Sequence, residues 1–123
     1  MKYRLLGNSG LRVSELALGA MTFGTEDWGV DRAESRRVYD GFREAGGNFI
    51  DTANVYSAGR SETFLGEFIA EERERIVLAT KFTGVTRGRD VNASGNSRKT
   101  MMDAVHASLE RLGTDYIDLY WVH

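Results

Sequence analysis

The chain has 123 residues, 41% of them apolar, with 16 basic residues against 18 acidic ones and no cysteine, a size that suits one domain with its own core. The near balance of charge gives no electrostatic reason to bind a nucleic acid or an anionic membrane surface, and the absence of cysteine excludes disulfides and thiolate metal sites. Because the amino terminus lacks the apolar core of a secretory signal and no apolar run approaches the roughly 20 residues of a spanning helix, we expect a soluble cytoplasmic protein.

The amino-terminal segment has the pattern of a β-hairpin. Residues 3–6 and 11–13 flank a glycine-bearing turn at 7–10, which predicts two short antiparallel strands that act as a lid or plug. Residues 16–19 then predict a short buried strand. The following loop, residues 21–29, is rich in glycine and carries aromatic side chains, so we interpret it as the wall of a pocket.

Three segments have helical spacing. Asp31 followed by Glu34 resembles a capping box, Ser61 is a candidate start for a second helix, and Ser97 and Gly113 are candidate caps of a third. The expected apolar stripes are Val38, Phe42 and Ala45 in the first helix, Phe64, Leu65, Phe68 and Ile69 in the second, and Met101, Val105, Leu109 and Leu112 in the third. The Gly-, Arg- and Asn-rich stretch at 83–99 is either an anion-binding loop or, as we favour, a mobile connection near the site.

Three later apolar runs each end on an ionisable residue. Residues 48–50 lead to Asp51, residues 76–80 lead to Lys81, and the run from 117 to 122 leads to His123. The alternation of strands and helices predicts parallel strands joined by right-handed crossovers, and therefore an α/β fold whose carboxyl strand ends meet at one site. In the last strand, Tyr120 and Trp121 should point to opposite faces, and packing accounts for both.

The type of α/β fold follows from what the sequence lacks. No G-x-G-x-x-G motif follows the first parallel strand and no phosphate-binding P-loop is present, which favours a (β/α) barrel over a doubly wound nucleotide-binding sheet. A closed eight-stranded barrel takes about 250 residues. We therefore expect residues 1–123 to be the amino-terminal half of a single (β/α)8 barrel domain. This truncated chain would contain the hairpin, roughly four barrel strands and three helices.

Four polar residues of complementary type should share the mouth of this barrel. Lys81 would favour the phenolate of Tyr56 and so make its hydroxyl a better acid, while Asp51 would hold the ammonium in place. His123 could donate a hydrogen bond to a substrate oxygen. The set suits protonation of a carbonyl oxygen while another group delivers a hydride.

These residues lie in a segment that resembles a known family. Residues 47–56 (Gly-Asn-Phe-Ile-Asp-Thr-Ala-Asn-Val-Tyr), followed by Ser61-Glu62 and Leu65-Gly66, resemble the first signature of the aldo-keto reductases. Residues 11–24, 79–81 and 108–123 are similar to the same family in the same order. The resemblance implies a (β/α)8 TIM barrel that reduces an aldehyde or ketone with NADPH, and it is of the bacterial type that is similar to potassium-channel β subunits.

The same resemblance implies individual roles. Tyr56 is the expected general acid, Lys81 and Asp51 its supporting ionic residues, and His123 the residue that orients the carbonyl. Further expected contacts are Gly19, Ala20, Met21 and Asp51 with the nicotinamide and ribose of NADP(H), and Trp28, Tyr56 and His123 with a small-molecule carbonyl substrate. No metal site, nucleic acid or membrane is expected.

Two other interpretations remain open at this stage. The chain could be a binding or regulatory subunit on the same scaffold, as in the potassium-channel β subunits. It could also be a structural half-barrel, whose open sheet edges would favour self-association. Neither interpretation changes the expected fold.

Overall fold

The amino-terminal hairpin lies against the amino ends of the strands that follow it. In the computed structural model, which describes residues 1–25, 27–86, 88 and 90–123, β1 (Tyr3–Leu5) pairs antiparallel with β2 (Arg12–Ser14). The Tyr3 hydroxyl donates to the carbonyl of Gly46 (2.6 Å), and the Ser14 amide donates to Oδ1 of Asn48 (2.7 Å). The predicted hairpin is confirmed, and it covers the end of the sheet that is opposite the strand carboxyl ends.

The remaining strands form one parallel sheet. Its order is β3 (Ala17–Gly19), β4 (Phe49–Asp51), β5 (Val77–Phe82) and β6 (Leu119–Val122). The connections contain α1 (Arg32–Glu44), α2 (Arg60–Ile69) and α3 (Arg98–Leu112), with short 3-10 turns at Tyr56–Gly59 and Arg73–Arg75. Every neighbouring pair is parallel, as the alternating pattern predicts. Within the described part of the chain, no helix is long and apolar enough to cross a bilayer.

Strand register separates the core from the site. Leu18, Ile50 and Leu78 form one row across the sheet and face the helices, where Ile50 and Leu78 are completely buried. Because successive strand side chains alternate, Asp51 and Lys81 point to the opposite face. The hydrophobic core therefore lies between the sheet and its helices, and Asp51 and Lys81 lie on the other face.

The caps of α1 and α3 agree with the prediction, whereas α2 begins at Arg60 with Gly59 as its N-cap, one residue before the predicted start at Ser61. The Asp31 side chain accepts from the amide of Glu34 at the start of α1 (2.8 Å), and Ser97 accepts from the amide of Thr100 at the start of α3 (3.1 Å). Gly113 ends α3 in the left-handed conformation, with φ of 61°. Such a conformation is least costly for glycine.

The predicted buried faces of α1 and α3 are wrong in part. Val38 is 39% exposed, whereas Tyr39 is buried, packs against Phe68 and donates its hydroxyl to Glu72. Burial, reinforced by the Glu72 carboxylate, raises the pKa of the Tyr39 hydroxyl. In α3 the fully buried face consists of Thr100, Ala104, Ser108 and Leu112, while Met101, Val105 and Leu109 are only half-buried.

A close helix crossing lies at the carboxyl end of that face. A Cβ placed on Gly66 of α2 would lie 2.6 Å from the carbonyl oxygen of Leu112, so the α2 and α3 backbones nearly touch. Only small side chains fit between helices at such a distance.

Candidate active site

The candidate site occupies the carboxyl end of the parallel sheet. Asp51 ends β4, Lys81 lies near the end of β5, and His123 directly follows β6. All three line a cavity of about 550 Å³, together with Ala17, Gly19, Phe49, Trp121 and Val122. In parallel α/β folds this is the end of the sheet where catalytic groups are positioned.

Lys81 is the centre of the polar cluster. Its Nζ donates to Oδ2 of Asp51 (2.5 Å), to the carbonyl oxygen of Thr52 (2.8 Å) and to the hydroxyl oxygen of Tyr56 (3.1 Å). The Lys81 side chain is 15% exposed and that of Asp51 is 32% exposed, so solvent screens the pair only weakly. An ammonium group has three N–H donors, and here each has an acceptor. The positive charge is thereby fixed beside the oxygen of Tyr56.

Tyr56 is held by an unusual turn. Ser57 (φ 50°, ψ 39°) and Ala58 (φ 55°, ψ 37°) both adopt the left-handed conformation, which costs of order 1–3 kcal/mol for each residue other than glycine. Ser57 Oγ donates to the carbonyl of Phe23 (2.8 Å) and lies 2.8 Å from the hydroxyl of Thr25. These contacts join the Tyr56 turn to the loop after β3. Backbone strain of this kind concentrates at functional sites.

His123 contacts the other side of the tyrosine ring. The two rings meet edge to face, with centroids 5.7 Å apart and an interplanar angle of 86°. The backbone amide of His123 donates to the carbonyl of Phe82 (3.1 Å) and continues the β5–β6 ladder beyond Val122. An imidazole at this position can donate to an oxygen that is bound near the Tyr56 hydroxyl.

Of the other residues expected to contact the cofactor or substrate, some lie at the cavity and some do not. Gly19 lines the cavity, and the buried Ala20 donates its amide to the carbonyl of Asp51 (2.9 Å). Met21 and Trp28 are exposed, at 50% and 62%. The described residues that line the cavity include none of Ala20, Met21, Trp28 and Tyr56. The roles of all these residues stay predictions.

Sequence reasoning missed four of the residues that line the cavity, Ala17, Phe49, Trp121 and Val122, and a group of buried polar residues. Trp121 lies beside Lys81 in the ladder and lines the cavity, whereas the sequence pattern predicts only a packing role for it. The period-2 alternation back from His123 places Trp121 on the same face and could have identified it. The buried polar side chains are Thr52, Asn54, Ser61, Glu62 and Thr80.

Tyr120 faces the helices, as the alternation predicts. Its ring stacks on Phe82 with centroids 5.1 Å apart. Its hydroxyl oxygen is buried and has no hydrogen-bond partner among the described residues. Burial, with the nearby Glu62 carboxylate, raises the pKa of Tyr120 to about 12. This hydroxyl therefore stays protonated at neutral pH and takes no part in the Tyr56 cluster.

Comparison with known proteins agrees with the fold. Residues 15–123 match the sequence profile described as the Aldo/keto reductase family. The chain therefore belongs to the aldo/keto reductase family, and its fold is part of a (β/α)8 barrel.

Individual relatives define the relationship further. The chain is 46% identical over 134 aligned positions to norsolorinic acid reductase B of Aspergillus parasiticus, covering 99% of this chain and 35% of that protein. It is 41% identical over 136 positions to an aryl-alcohol dehydrogenase [NADP(+)] of Phanerodontia chrysosporium, covering 98% and 35%. The chain thus spans about a third of the length of these curated relatives.

Solved structures give the same result. The aldo-keto reductase AKR11C1 from Bacillus halodurans, in its holo form, superposes with a TM-score of 0.85 at 40% identity, covering 100% of this chain and 40% of that one. A putative aldo-keto reductase from Pseudomonas aeruginosa superposes with a TM-score of 0.83 at 38% identity, covering 98% and 46%. The names of these relatives, reductases and a dehydrogenase, agree with a family of oxidoreductases that act on carbonyl compounds.

Proposed function

We propose that the complete protein carrying this chain reduces an aldehyde or ketone to an alcohol, with NADPH as the hydride donor. The observation that carries the proposal is the set of three contacts made by Lys81 Nζ to Asp51, Thr52 and Tyr56. A cation fixed 3.1 Å from a tyrosine oxygen stabilises the phenolate that remains after proton transfer. The intact cluster favours an enzyme over a regulatory subunit.

The walls of the cavity suit a flat aromatic ring. Gly19 presents bare backbone at the end of β3, and a Cβ placed there would meet no atom within 4 Å. Phe49 and Trp121 supply apolar surface beside the polar cluster, the usual composition of a cofactor site. When bound, a nicotinamide would supply a hydride to the carbonyl carbon. The NADP(+) in the name of the Phanerodontia chrysosporium relative supports NADP(H) as the cofactor.

The residues of the chain then perform the proton transfer. The Tyr56 hydroxyl donates its proton to the carbonyl oxygen, which becomes the alcohol oxygen as the carbon accepts the hydride. Lys81 stabilises the phenolate that is left, and Asp51 keeps the ammonium in place. His123 donates a hydrogen bond to the same carbonyl oxygen and orients it. Water returns a proton to Tyr56 after the product leaves.

We also propose that residues 1–123 are the amino-terminal half of one barrel domain. This is supported by the four-stranded parallel sheet and by the share of its relatives that the chain spans. The edge strands β3 and β6 and the exposed Trp121 and Val122 would then be covered by the other half.

Replacement of one hydroxyl tests the activity. Tyr56→Phe in the complete protein should abolish aldehyde-dependent oxidation of NADPH, followed by loss of NADPH absorbance, and leave NADPH affinity largely intact. Tyr3→Phe is the matched control, because the Tyr3 hydroxyl donates to the carbonyl of Gly46 in the hairpin region, away from the polar cluster. Turnover by Tyr56→Phe at the rate of this control would refute the role of Tyr56.

A further inference from the structure

A fully buried carboxylate lies directly behind the polar cluster, on the helix side of the sheet. Glu62 in the first turn of α2 is 0% exposed. Its Oε2 accepts from Nε of Arg111 on α3 (2.6 Å), and its Oε1 accepts from the hydroxyl of Thr80 on β5 (2.6 Å). One side chain therefore connects two helices and a strand.

Filling space does not require a charge at this position. A buried ion pair loses hydration on both partners, and apolar residues of similar volume are often as stable or more stable. The carboxylate makes directional hydrogen bonds, which an apolar side chain cannot make, and each of its oxygens holds one donor group in place. The position of Glu62 is thus tied to those of Thr80 and Arg111.

Thr80 links this carboxylate to the catalytic lysine. Thr80 directly precedes Lys81 in β5, so the two side chains leave the same short stretch of backbone on opposite faces of the sheet. The bond from Thr80 to Glu62 holds that backbone from behind. A rotation or shift of the strand at Thr80 would move Nζ of Lys81 relative to Tyr56.

A second link from α2 reaches the neighbouring strands. Ser61 Oγ donates to the carbonyl of Ala20 (2.7 Å) and lies 2.8 Å from the hydroxyl of Thr52. Thr52 directly follows Asp51, and its carbonyl is one of the three acceptors of Lys81 Nζ. The first turn of α2 therefore bonds to the residue next to Asp51 and to the residue next to Lys81.

The pair of Glu62 and Arg111 also contacts the Tyr56 turn. This turn, Tyr56–Gly59, runs directly into α2, and Gly59 adopts φ of 91°. A Cβ placed on Gly59 would lie 2.8 Å from Cδ of Arg111, so the arginine that pairs with Glu62 packs against the end of the turn. The Glu62–Arg111 pair thus contacts the turn that carries Tyr56 and, through Thr80, the strand that carries Lys81.

We propose that Glu62, held by Arg111, is a positioning residue that sets the separation between Lys81 Nζ and the Tyr56 oxygen. It touches neither substrate nor cofactor and acts through Thr80 and the Tyr56 turn. Its kinetic consequence rests on the proposed function, but its effect on the ionisation of Tyr56 does not.

The test uses two readouts in the complete protein. The first is the pH at which Tyr56 ionises without cofactor, taken from the ultraviolet absorbance of tyrosinate after subtraction of the Tyr56→Phe titration. Lys81, Asp51 and His123 are the titratable groups that the described residues bring to Tyr56. At alkaline pH a carboxylate stays ionised and an imidazole neutral, whereas lysine ordinarily titrates in the same range as tyrosine. The measured midpoint therefore belongs to the Tyr56–Lys81 pair, and its change in a variant reports how strongly the two groups are coupled. The second readout is kcat and KM for carbonyl reduction.

Glu62→Gln keeps the volume and removes the charge. If the 3.1 Å contact between Lys81 Nζ and the Tyr56 oxygen lengthens by about 1 Å, the Tyr56 ionisation midpoint should rise by about one pH unit. A misplacement of that size should also lower kcat by up to about 100-fold, with KM for NADPH little changed. Glu72→Gln is the matched control. Glu72 likewise pairs with an arginine, Arg43, and accepts a hydrogen bond from a hydroxyl, that of Tyr39, but it lies away from the site.

Thr80 provides an independent pair of variants that keep the charged residues. Thr80→Val removes the hydroxyl at equal volume, and Thr80→Ser restores it. We expect Thr80→Val to shift the Tyr56 midpoint and kcat in the same direction as Glu62→Gln, and Thr80→Ser to return both to the wild-type values.

The outcomes separate positioning from simple stability. If Glu62→Gln lowers Tm as the control does but keeps the wild-type midpoint and kcat, the inference is wrong. If Glu62→Gln does not fold, the Thr80 variants decide the question. A changed Tyr56 midpoint and kcat in Thr80→Val, with wild-type values in Thr80→Ser, supports the inference. Wild-type values in both variants overturn it. If the wild-type protein reduces no carbonyl, the proposed function fails, while the tyrosinate titrations still decide whether Glu62 positions Lys81.

Discussion

Replacing Lys81 by methionine tests the electrostatic basis of the site most directly. Methionine has a similar length and no charge, so the change removes the cation beside Tyr56 and leaves the cavity nearly filled. At 3.1 Å and an effective dielectric constant of about 20, a full ammonium–phenolate pair is worth about 5 kcal/mol. If about half of the charge has developed in the transition state, the loss is about 2.5 kcal/mol. The Asp51 carboxylate, 2.5 Å from the same ammonium, offsets part of this attraction. We therefore expect kcat to fall between about 10-fold and 100-fold.

The assay is single-turnover hydride transfer in the complete protein, with cofactor and aldehyde both saturating, so that binding does not enter the rate. Lys99→Met is the control, because Lys99 is exposed and pairs only loosely with Asp103 (3.4 Å) on the surface of α3. The control should react at the wild-type rate. A rate for Lys81→Met within about twofold of the control would refute the argument, since the calculated loss corresponds to at least a factor of 10.

Three further predictions concern stability and assembly. Gly59→Ala should lower the free energy of unfolding by more than the roughly 1–2 kcal/mol that a left-handed alanine alone costs, because its Cβ would meet Arg111. Gly7→Ala is the control, since Gly7 also has a positive φ but open space around it, and it should lose less stability in urea denaturation. Equal losses for the two variants would contradict the steric argument. The hydrogen bond from Arg43 lowers the pKa of Glu72, so this carboxylate stabilises the fold above its unfolded-state pKa and the contribution is lost as the pH falls through its folded-state pKa. The stability difference between wild type and Glu72→Gln, measured in urea, should therefore shrink towards acid pH, and a constant difference would contradict this reasoning. Finally, residues 1–123 expressed alone should self-associate through the edge strands of the parallel sheet, and a monomer at micromolar concentration in sedimentation would count against the half-barrel proposal.

The order of elements and the polar cluster were predictable because they depend on local rules. Parallel strands align their carboxyl ends, so Asp51, Lys81 and His123 could be assigned to one site from the position of each at the end of an apolar run. The caps Asp31 and Ser97 were predictable for a similar reason, because a cap depends on the three residues that follow it. Each of these features follows from a short stretch of sequence.

The features that were missed depend on long-range packing. Val38 fits a helical apolar stripe, yet the buried side of α1 is the one that brings Tyr39 to Glu72. Glu62 looks like an ordinary surface residue in its own stretch of sequence, and its partners Thr80 and Arg111 lie 18 and 49 positions away. No periodicity within α2 records those contacts, so the burial of Glu62 is visible only once the helices and sheet are assembled.

The complete use of the Lys81 donors has a consequence for chemical selectivity. A primary amine next to a bound aldehyde or ketone would ordinarily condense with it, losing water to form an imine. That reaction needs a nitrogen lone pair, and Lys81 offers none while its three N–H groups are bound by Asp51, Thr52 and Tyr56. In the proposed reaction, the same three acceptors that keep the cation beside Tyr56 would thus also keep the carbonyl substrate from being captured by the amine.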